Sequence, residues 1–127
     1  MATGFPAATG DILTAAAYNG LVAYTINAQT GTSYTPVLTD QYQVLLTRSN
    51  ASASTLTIPL NSSVAFAIGT VITVLNIGVG LVTISGIGGV TVLSAGTVPA
   101  SPTLAQYKSC ALIKTGADAW YVVGAIG

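Results

Sequence analysis

Charged side chains are almost absent from this chain, and this scarcity limits what it can fold into more than any other feature. Three Lys or Arg residues and three Asp residues are spread over 127 positions, and there is no histidine. Charged residues make up 5% of the chain, against about a quarter in a usual soluble domain, whereas 51% are hydrophobic. Because so neutral a surface does little to keep molecules apart, the composition predicts a subunit of a larger assembly.

The missing residue types exclude several functions. Nucleic-acid binding requires several Lys or Arg contacts with phosphates, and the chain has no basic cluster. Without histidine, no Ser-His-Asp or Cys-His arrangement can activate a nucleophile. A glycosidase pair of carboxylates would have to come from Asp11, Asp40 and Asp118, which lie in three separate segments. Zinc lacks its usual ligands. We therefore expect no enzyme, no cofactor and no metal site within one subunit; a metal site built from copies of Asp40 or Asp118 around a symmetry axis is the alternative that stays open.

Residues 49–107 carry no charge, so a membrane-spanning helix has to be considered. The best window, residues 64–84, is interrupted by Asn76 and three glycines, and its apolar residues are mainly the β-branched types that favour strands. We expect no membrane partner. The single cysteine, Cys110, has no disulfide partner in the chain and is expected to pack as a small buried hydrophobe, as in a reducing cytosol.

The first 34 residues differ in pattern from the rest. Residues 1–10 are small and neutral and contain Pro6, which is typical of an extended arm. Apolar residues then recur at spacings of three and four, which predicts an amphipathic helix from about Thr14 to Gln29. Because isolated helices of this length are marginal in water, we expect the helix to dock on a partner. Its apolar stripe consists of Leu13, Ala17, Leu21, Tyr24 and Ala28.

From residue 35 onward apolar and polar residues alternate, and turn residues recur at short intervals. This pattern indicates a mainly β domain over residues 35–127, with the fold of a small antiparallel β-sandwich or jelly roll, preceded by the arm and one short helix. The pattern also predicts hairpin connections at 76–80 and 115–118. Strands are predicted at 42–47, 55–58, 71–75, 81–84, 90–93, 106–115 and 120–123.

The predicted strand 71–75 is apolar on both of its faces. In a small sandwich only one face of each sheet meets the core, so loops, the helix or another subunit must cover the second face. We favour another subunit, with Val71 and Val74 as candidate contacts. The alternative is that the glycine cluster 86–89 and the proline-containing loop after it fold over this surface.

Several segments of the β half carry a resemblance to a known family. They are Thr55–Pro59, Ser62–Thr70, Gly80–Ile84 and Gly89–Val92, followed by Ala111–Lys114 and Asp118–Gly124 as a closing hairpin. Together these segments resemble a β module of tailed-phage virion proteins, which occurs in tail fibres, head fibres and head-decoration proteins, usually as homotrimers. The resemblance covers about residues 35–127, and Gly10–Thr14 with Tyr18-Asn19 is similar to attachment segments in such proteins. It implies no catalytic residues.

The resemblance implies a structural role in a virion. Since only about 34 residues precede the module, we expect a capsid decoration, or cement, protein made in the host cytoplasm. It would bind the major capsid protein or other virion proteins of the assembled head as a homotrimer, and stabilise the head. A tail-fibre, baseplate or receptor-binding protein is the alternative, and a carbohydrate-binding module is a third interpretation. The apolar anchors to the capsid or a neighbouring subunit would be Phe5, Ile12, Leu13, Leu21 and Tyr24.

Overall fold

A computed structural model of the chain describes residue 15 and residues 23–127. The predicted arm and half of the predicted helix, residues 14 and 16–22, lie outside the described residues. The described part is mainly β, as the sequence predicts, and the helix within residues 23–127 is a short 3-10 helix, Leu38–Asp40. The strands are β1 (Thr25–Gln29), β2 (Ser33–Tyr34), β3 (Val44–Arg48), β4 (Ser54–Ile58), β5 (Val71–Asn76), β6 (Val82–Gly86), β7 (Thr91–Ser94), β8 (Thr103–Leu104), β9 (Ser109–Gly116) and β10 (Ala119–Gly124).

The strands form two sheets, consistent with the predicted small β-sandwich. A six-stranded sheet has the order β1-β3-β5-β9-β10-β7, and a four-stranded sheet has the order β2-β4-β6-β8. Alternate residues of each strand point inward, because side chains in a strand alternate between its two faces. The core they form consists of Leu46, Leu56, Ile58, Phe66, Ile72, Val74, Val82, Ile84, Val92, Leu104, Cys110, Leu112, Trp120 and Val122.

The first six strands coil around the core and do not fold back on one another as hairpins. They alternate between the two sheets, so that β1, β3 and β5 are parallel neighbours in one sheet and β2, β4 and β6 are parallel neighbours in the other. The chain thus makes three coils, which consist of β1 and β2, β3 and β4, and β5 and β6. Each coil contributes one strand to each sheet. Within the described residues, the antiparallel pairing expected from the sequence is confined to β5–β9, β9–β10 and β6–β8.

The two predicted hairpins have different outcomes. Residues 115–118 do connect two antiparallel neighbours, β9 and β10, so this prediction is confirmed. Residues 76–80 instead form a corner, because β5 and β6 belong to different sheets. A glycine-rich connection permits a sharp change of direction in both cases, and its sequence does not determine whether the chain returns to the same sheet.

The chain is already in the β fold before residue 35, where the sequence predicts a helix. Thr25–Gln29 forms β1, an edge strand paired in parallel with β3, so the prediction of a helix extending to Gln29 is wrong. The N–H of Thr25 donates to the carbonyl of Gln43 at 2.7 Å, and the side chain of Asn27 donates to Asp40 at 2.6 Å. These contacts to later parts of the chain outweigh the local spacing of apolar residues.

The corners of the second and third coils lie in direct backbone contact. The N–H of Gly80 donates to the carbonyl of Asn50 at 2.8 Å, and the N–H of Ile77 donates to the carbonyl of Arg48, also at 2.8 Å. A Cβ atom added at Gly80 would lie closer than 3.0 Å to backbone atoms of Ser52 and Asn50. Glycine at this position therefore permits the close approach that keeps the coils in register.

We predict that Gly80→Ala destabilises the fold by about 2 kcal/mol or more, because backbone atoms cannot move aside as a flexible side chain can. The measurement is the urea midpoint of unfolding. Gly88→Ala is the matched control, since a Cβ there meets nothing within 4 Å. Equal midpoints for the two variants would show that the corner contact does not limit stability.

The thiol of Cys110 lies in the core and is 4% exposed, as the sequence predicts. Burial raises the pKa of Cys110 from 9.0 to about 12. Because the folded-state pKa lies above that of the unfolded chain, the thiol's contribution to stability is complete below pH 9 and is lost as the pH rises towards about 12.

We predict that Cys110→Ala flattens the loss of stability between pH 9 and about pH 12. The measurement is the urea midpoint across this range, with each protein referred to its own value at neutral pH, so that the packing cost of the substitution cancels. Tyr34→Phe provides a comparison, because the pKa of Tyr34 is raised from 10.0 and its effect begins at higher pH. An unchanged slope in Cys110→Ala would contradict the assignment to the thiol.

Candidate interaction surface

The outer surface of the six-stranded sheet is built from alternate strand residues that point away from the core. The strand registers arrange these residues in rows across the sheet. One row is Val71, Ile113, Tyr121 and Leu93, on β5, β9, β10 and β7. The other row is Ile26, Leu45, Thr73, Ala111 and Val123, on β1, β3, β5, β9 and β10. We call the surface formed by these two rows the apolar face.

The apolar face is open over much of its area. Five of its side chains are between 43% and 56% exposed, namely Ile26, Leu93, Val71, Tyr121 and Val123. None of its residues is charged; in the described part of the chain, the charged residues flanking β9 are Lys108 before it and Asp118 after it. A continuous exposed apolar surface of this kind marks a site of association in soluble proteins.

The four-stranded sheet presents a different outer surface. Its outward residues Ser33, Thr55, Thr83 and Thr103 are successive partners across β2, β4, β6 and β8. Thr57 and Ser85 form a second hydroxyl pair across β4 and β6. We call this surface the hydroxyl face. Because one short chain gives one sheet a hydroxyl exterior and the other an apolar exterior, the apolar face is not a simple effect of the overall hydrophobic composition.

A groove extends the apolar face at its β7 edge. It has a volume of about 410 Å³ and is lined by Leu93 and Ser94 of β7, Tyr121 and Val123 of β10, and the C-terminal Ile126, among others. An apolar side chain from a partner would bury more area in this groove than on a flat sheet, so the groove is the part of the face best suited to an anchoring contact.

The two contact residues predicted on strand 71–75 lie on opposite faces of the sheet. Val71 lies on the apolar face and is 49% exposed, whereas Val74 is fully buried in the core and has no surface for a partner. Tyr24, predicted as an anchor, immediately precedes β1 and is 58% exposed. The other predicted anchors, Phe5, Ile12, Leu13 and Leu21, lie outside the described residues.

The contact residues predicted from the sequence do not include Tyr121, Val123, Leu93 or Ile26. The signal for β10 was present, because Trp120-Tyr121-Val122-Val123 is apolar at four successive positions and therefore on both faces of the strand. Like the predicted strand 71–75, this strand has a second apolar face that another surface must cover. That β5, β9, β10 and β7 share one sheet, in this order, could not be read from local patterns.

Several of the few charged side chains lie inside the fold. Asp40 is 2% exposed; its Oδ1 accepts from Asn27 Nδ2 at 2.6 Å, and its Oδ2 accepts from the Tyr34 hydroxyl at 2.6 Å and the Val37 N–H at 2.9 Å. Burial, together with the bond to Asp40, raises the pKa of Tyr34 to about 12. The carboxylate thus fixes the 3-10 helix to β1 and β2, which is a structural role.

Arg48, at the end of β3, is 1% exposed. Its Nη2 donates to the carbonyl of Gly31 at 2.9 Å, which joins the second coil to the corner of the first. Its Nε and Nη1 atoms are buried without a hydrogen-bond partner among the described residues, and burial lowers the pKa of the group. The cost of burying the Arg48 guanidinium is therefore only partly offset by hydrogen bonds to the described part of the chain.

No comparison identifies a relative of this chain: family models, curated proteins and solved structures all gave no match. Within residues 23–127 and at residue 15, no group of three or more His, Cys, Asp or Glu side chains is placed to bind a metal ion. In the same part of the chain, no helix has the length and hydropathy needed to cross a bilayer.

We predict that the chain self-associates through the apolar face and that Val123→Glu weakens the association by at least about tenfold, since an unpaired carboxylate in an apolar contact costs more than about 1.4 kcal/mol. Sedimentation velocity over a range of concentrations measures this effect. The matched control is Thr83→Glu on the hydroxyl face, which should leave association unchanged. A wild-type chain that stays monomeric at every concentration contradicts the prediction.

Proposed function

We propose that the chain is a capsid decoration protein of a tailed bacteriophage, which binds the assembled head as a homotrimer and stabilises it. Its role is structural and not catalytic. The observation that carries this proposal is the apolar face: an uncharged, half-exposed sheet surface that an isolated protein would leave in water. The exposure of such a surface to water is unfavourable, and this cost is removed when a neighbouring copy or another virion protein covers it.

The area of the apolar face indicates how much of a protein–protein interface it can supply. Six strands about 4.8 Å apart, each with about five residues at about 3.3 Å, give a projected area of about 400 Å². A standard protein interface buries about 800 Å² per partner. The face thus supplies about half of such an interface, and the predicted anchors before β1, with the capsid surface itself, are the proposed source of the remainder.

Stabilisation of the head follows from mass action in this proposal. A protein that binds the assembled shell, and not its dissociated subunits, shifts the equilibrium towards the shell by an amount that grows with occupancy. The resemblance of residues 35–127 to a module of phage head-decoration proteins supports the capsid surface as the location. The neutral exterior suits this location as well, because it allows many copies to lie close together without mutual repulsion.

The copy number on virus particles tests the proposal. The protein is added to purified heads that lack it, and bound copies are counted by quantitative gel or mass spectrometry. We expect many copies, in proportion to the capsid lattice, and a higher temperature for loss of the packaged genome. Val123→Glu should bind less and protect less, whereas Thr83→Glu should behave as the wild type.

Other outcomes distinguish the competing roles. A few copies per particle, located at the tail, would favour the tail-fibre or baseplate alternative. Binding to neither heads nor tails would contradict both virion roles. Equal binding by Val123→Glu and the wild type would be compatible with a decoration role but would show that the apolar face is not the surface that binds the head.

A further inference from the structure

The second buried cation, Lys114 of β9, holds a segment that crosses between the sheets. Its side chain points into the core and is 2% exposed. Its Nζ donates to Oδ1 of Asn61 at 2.6 Å and to the carbonyl oxygen of Phe66 at 2.7 Å. Asn61 and Phe66 both belong to residues 59–70, which connect β4 of one sheet to β5 of the other.

Two aromatic residues, Trp120 and Phe66, are neighbours of Lys114 in the fold. Trp120 is the direct cross-strand partner of Lys114 on the same inward face, and it is 2% exposed. Phe66 packs edge-on against Trp120, with ring centroids 5.6 Å apart at 90°. The amine of Lys114 is therefore buried, whereas its partner Asn61 remains partly exposed to solvent. Both acceptors of Nζ in the described part of the chain are neutral groups.

The backbone of Asn61 is held independently of Lys114. Its N–H donates to Oδ1 of Asp118, in the turn between β9 and β10, at 2.7 Å. Lys114 and Asp118 thus hold residue 61 from two positions on one hairpin, one through the side chain and one through the backbone. A carboxamide restrained in this way stays within reach of the amine, and restraint of this kind is what makes a slow bimolecular reaction effectively unimolecular.

We propose that Lys114 and Asn61 form an intramolecular isopeptide bond. The ammonium first gives up a proton to solvent water, and the neutral Nζ attacks the side-chain Cγ of Asn61. A new Nζ–Cγ amide bond forms, and the bond between Cγ and the original amide nitrogen breaks. A second proton passes from Nζ to that nitrogen, which leaves as ammonia and takes up from solvent the equivalent of the first proton to become ammonium, so charge balances and nothing is oxidised or reduced. No cofactor is required, and Lys114 acts as a nucleophile of a type known in proteins.

The bond would join two parts of the chain that are 53 residues apart in sequence. It would fix the crossing 59–70 to β9 and thereby connect the second and third coils to the closing hairpin. A cross-link over a long loop restricts the unfolded chain most, so the stabilising effect should be large.

Intact mass is the direct test. The purified full-length chain, denatured before mass spectrometry, should weigh less than its sequence by one ammonia, after allowance for removal of Met1. Proteolytic digestion should release a branched peptide that contains both Lys114 and Asn61. A wild-type mass that still equals the sequence mass after prolonged incubation of the folded protein overturns the proposal.

Matched variants separate the cross-link from ordinary folding. Lys114→Arg keeps a cation with hydrogen-bond donors but cannot form the amide, and Asn61→Ala removes the carboxamide; both should keep the full sequence mass. Lys108→Arg and Asn50→Ala should lose ammonia as the wild type does. Circular dichroism verifies that each variant is folded. Loss of ammonia in folded Lys114→Arg assigns the reaction to other groups and overturns the proposal.

Thermal unfolding provides a second measurement. Folded Lys114→Arg should unfold at a temperature lower by about 10 °C or more, the size expected when a cross-link closing a loop of this length is absent. Asp118 is a positioning residue in this scheme. Asp118→Ala should therefore cross-link more slowly, whereas Asp118→Asn keeps an acceptor for the Asn61 N–H and should restore the rate. Equal rates in wild type and Asp118→Ala would remove that role from Asp118.

Discussion

The rest of the fold depends on the backbone contact between the corners of the second and third coils, because this contact sets the register of both sheets at once. Gly80 and Asn50 meet through their backbones, and the buried side chain of Asn76 donates to the carbonyls of Gly80 and Leu104, both at 2.9 Å. A strand that slipped by one residue would turn its inward side chains outward. The apolar face and the hydroxyl face would then lose their separate characters, so the surface chemistry of the molecule depends on these corners.

Three of the five charged side chains in the described part of the chain lie in the interior. Asp40, Arg48 and Lys114 are each at most 2% exposed, and each fixes one segment of chain to another. Asp40 is fully satisfied by three donors, whereas Lys114 meets only neutral acceptors and Arg48 retains two buried nitrogens without partners in the described part of the chain. The consequence is a nearly neutral surface, which favours close contact between molecules and does little to prevent unwanted contact.

The sequence was sufficient to predict the fold class and the hairpin between β9 and β10, since both follow from local alternation and turn residues. It did not predict parallel pairing, because a strand alternates with a period of two whichever direction its neighbour runs. Nor did it predict β1, where contacts with Gln43 and Asp40 outweigh a helical spacing. Val71 and Val74 show the same limit for the candidate site: the pattern places them on opposite faces of a strand, and only the fold shows which face is inside.

The strands β5, β9 and β10 link the interior of the fold to its candidate interface. Their inward side chains include Lys114 and Trp120, which hold the crossing 59–70, and their outward side chains include Val71, Tyr121 and Val123 of the apolar face. Association costs less when the surface is already rigid, because fewer side chains and segments lose freedom on binding. The contacts that Lys114 makes with the crossing 59–70 hold the strands of the apolar face from the inside. They therefore lower the free-energy cost of assembly, both as hydrogen bonds and as the proposed covalent bond.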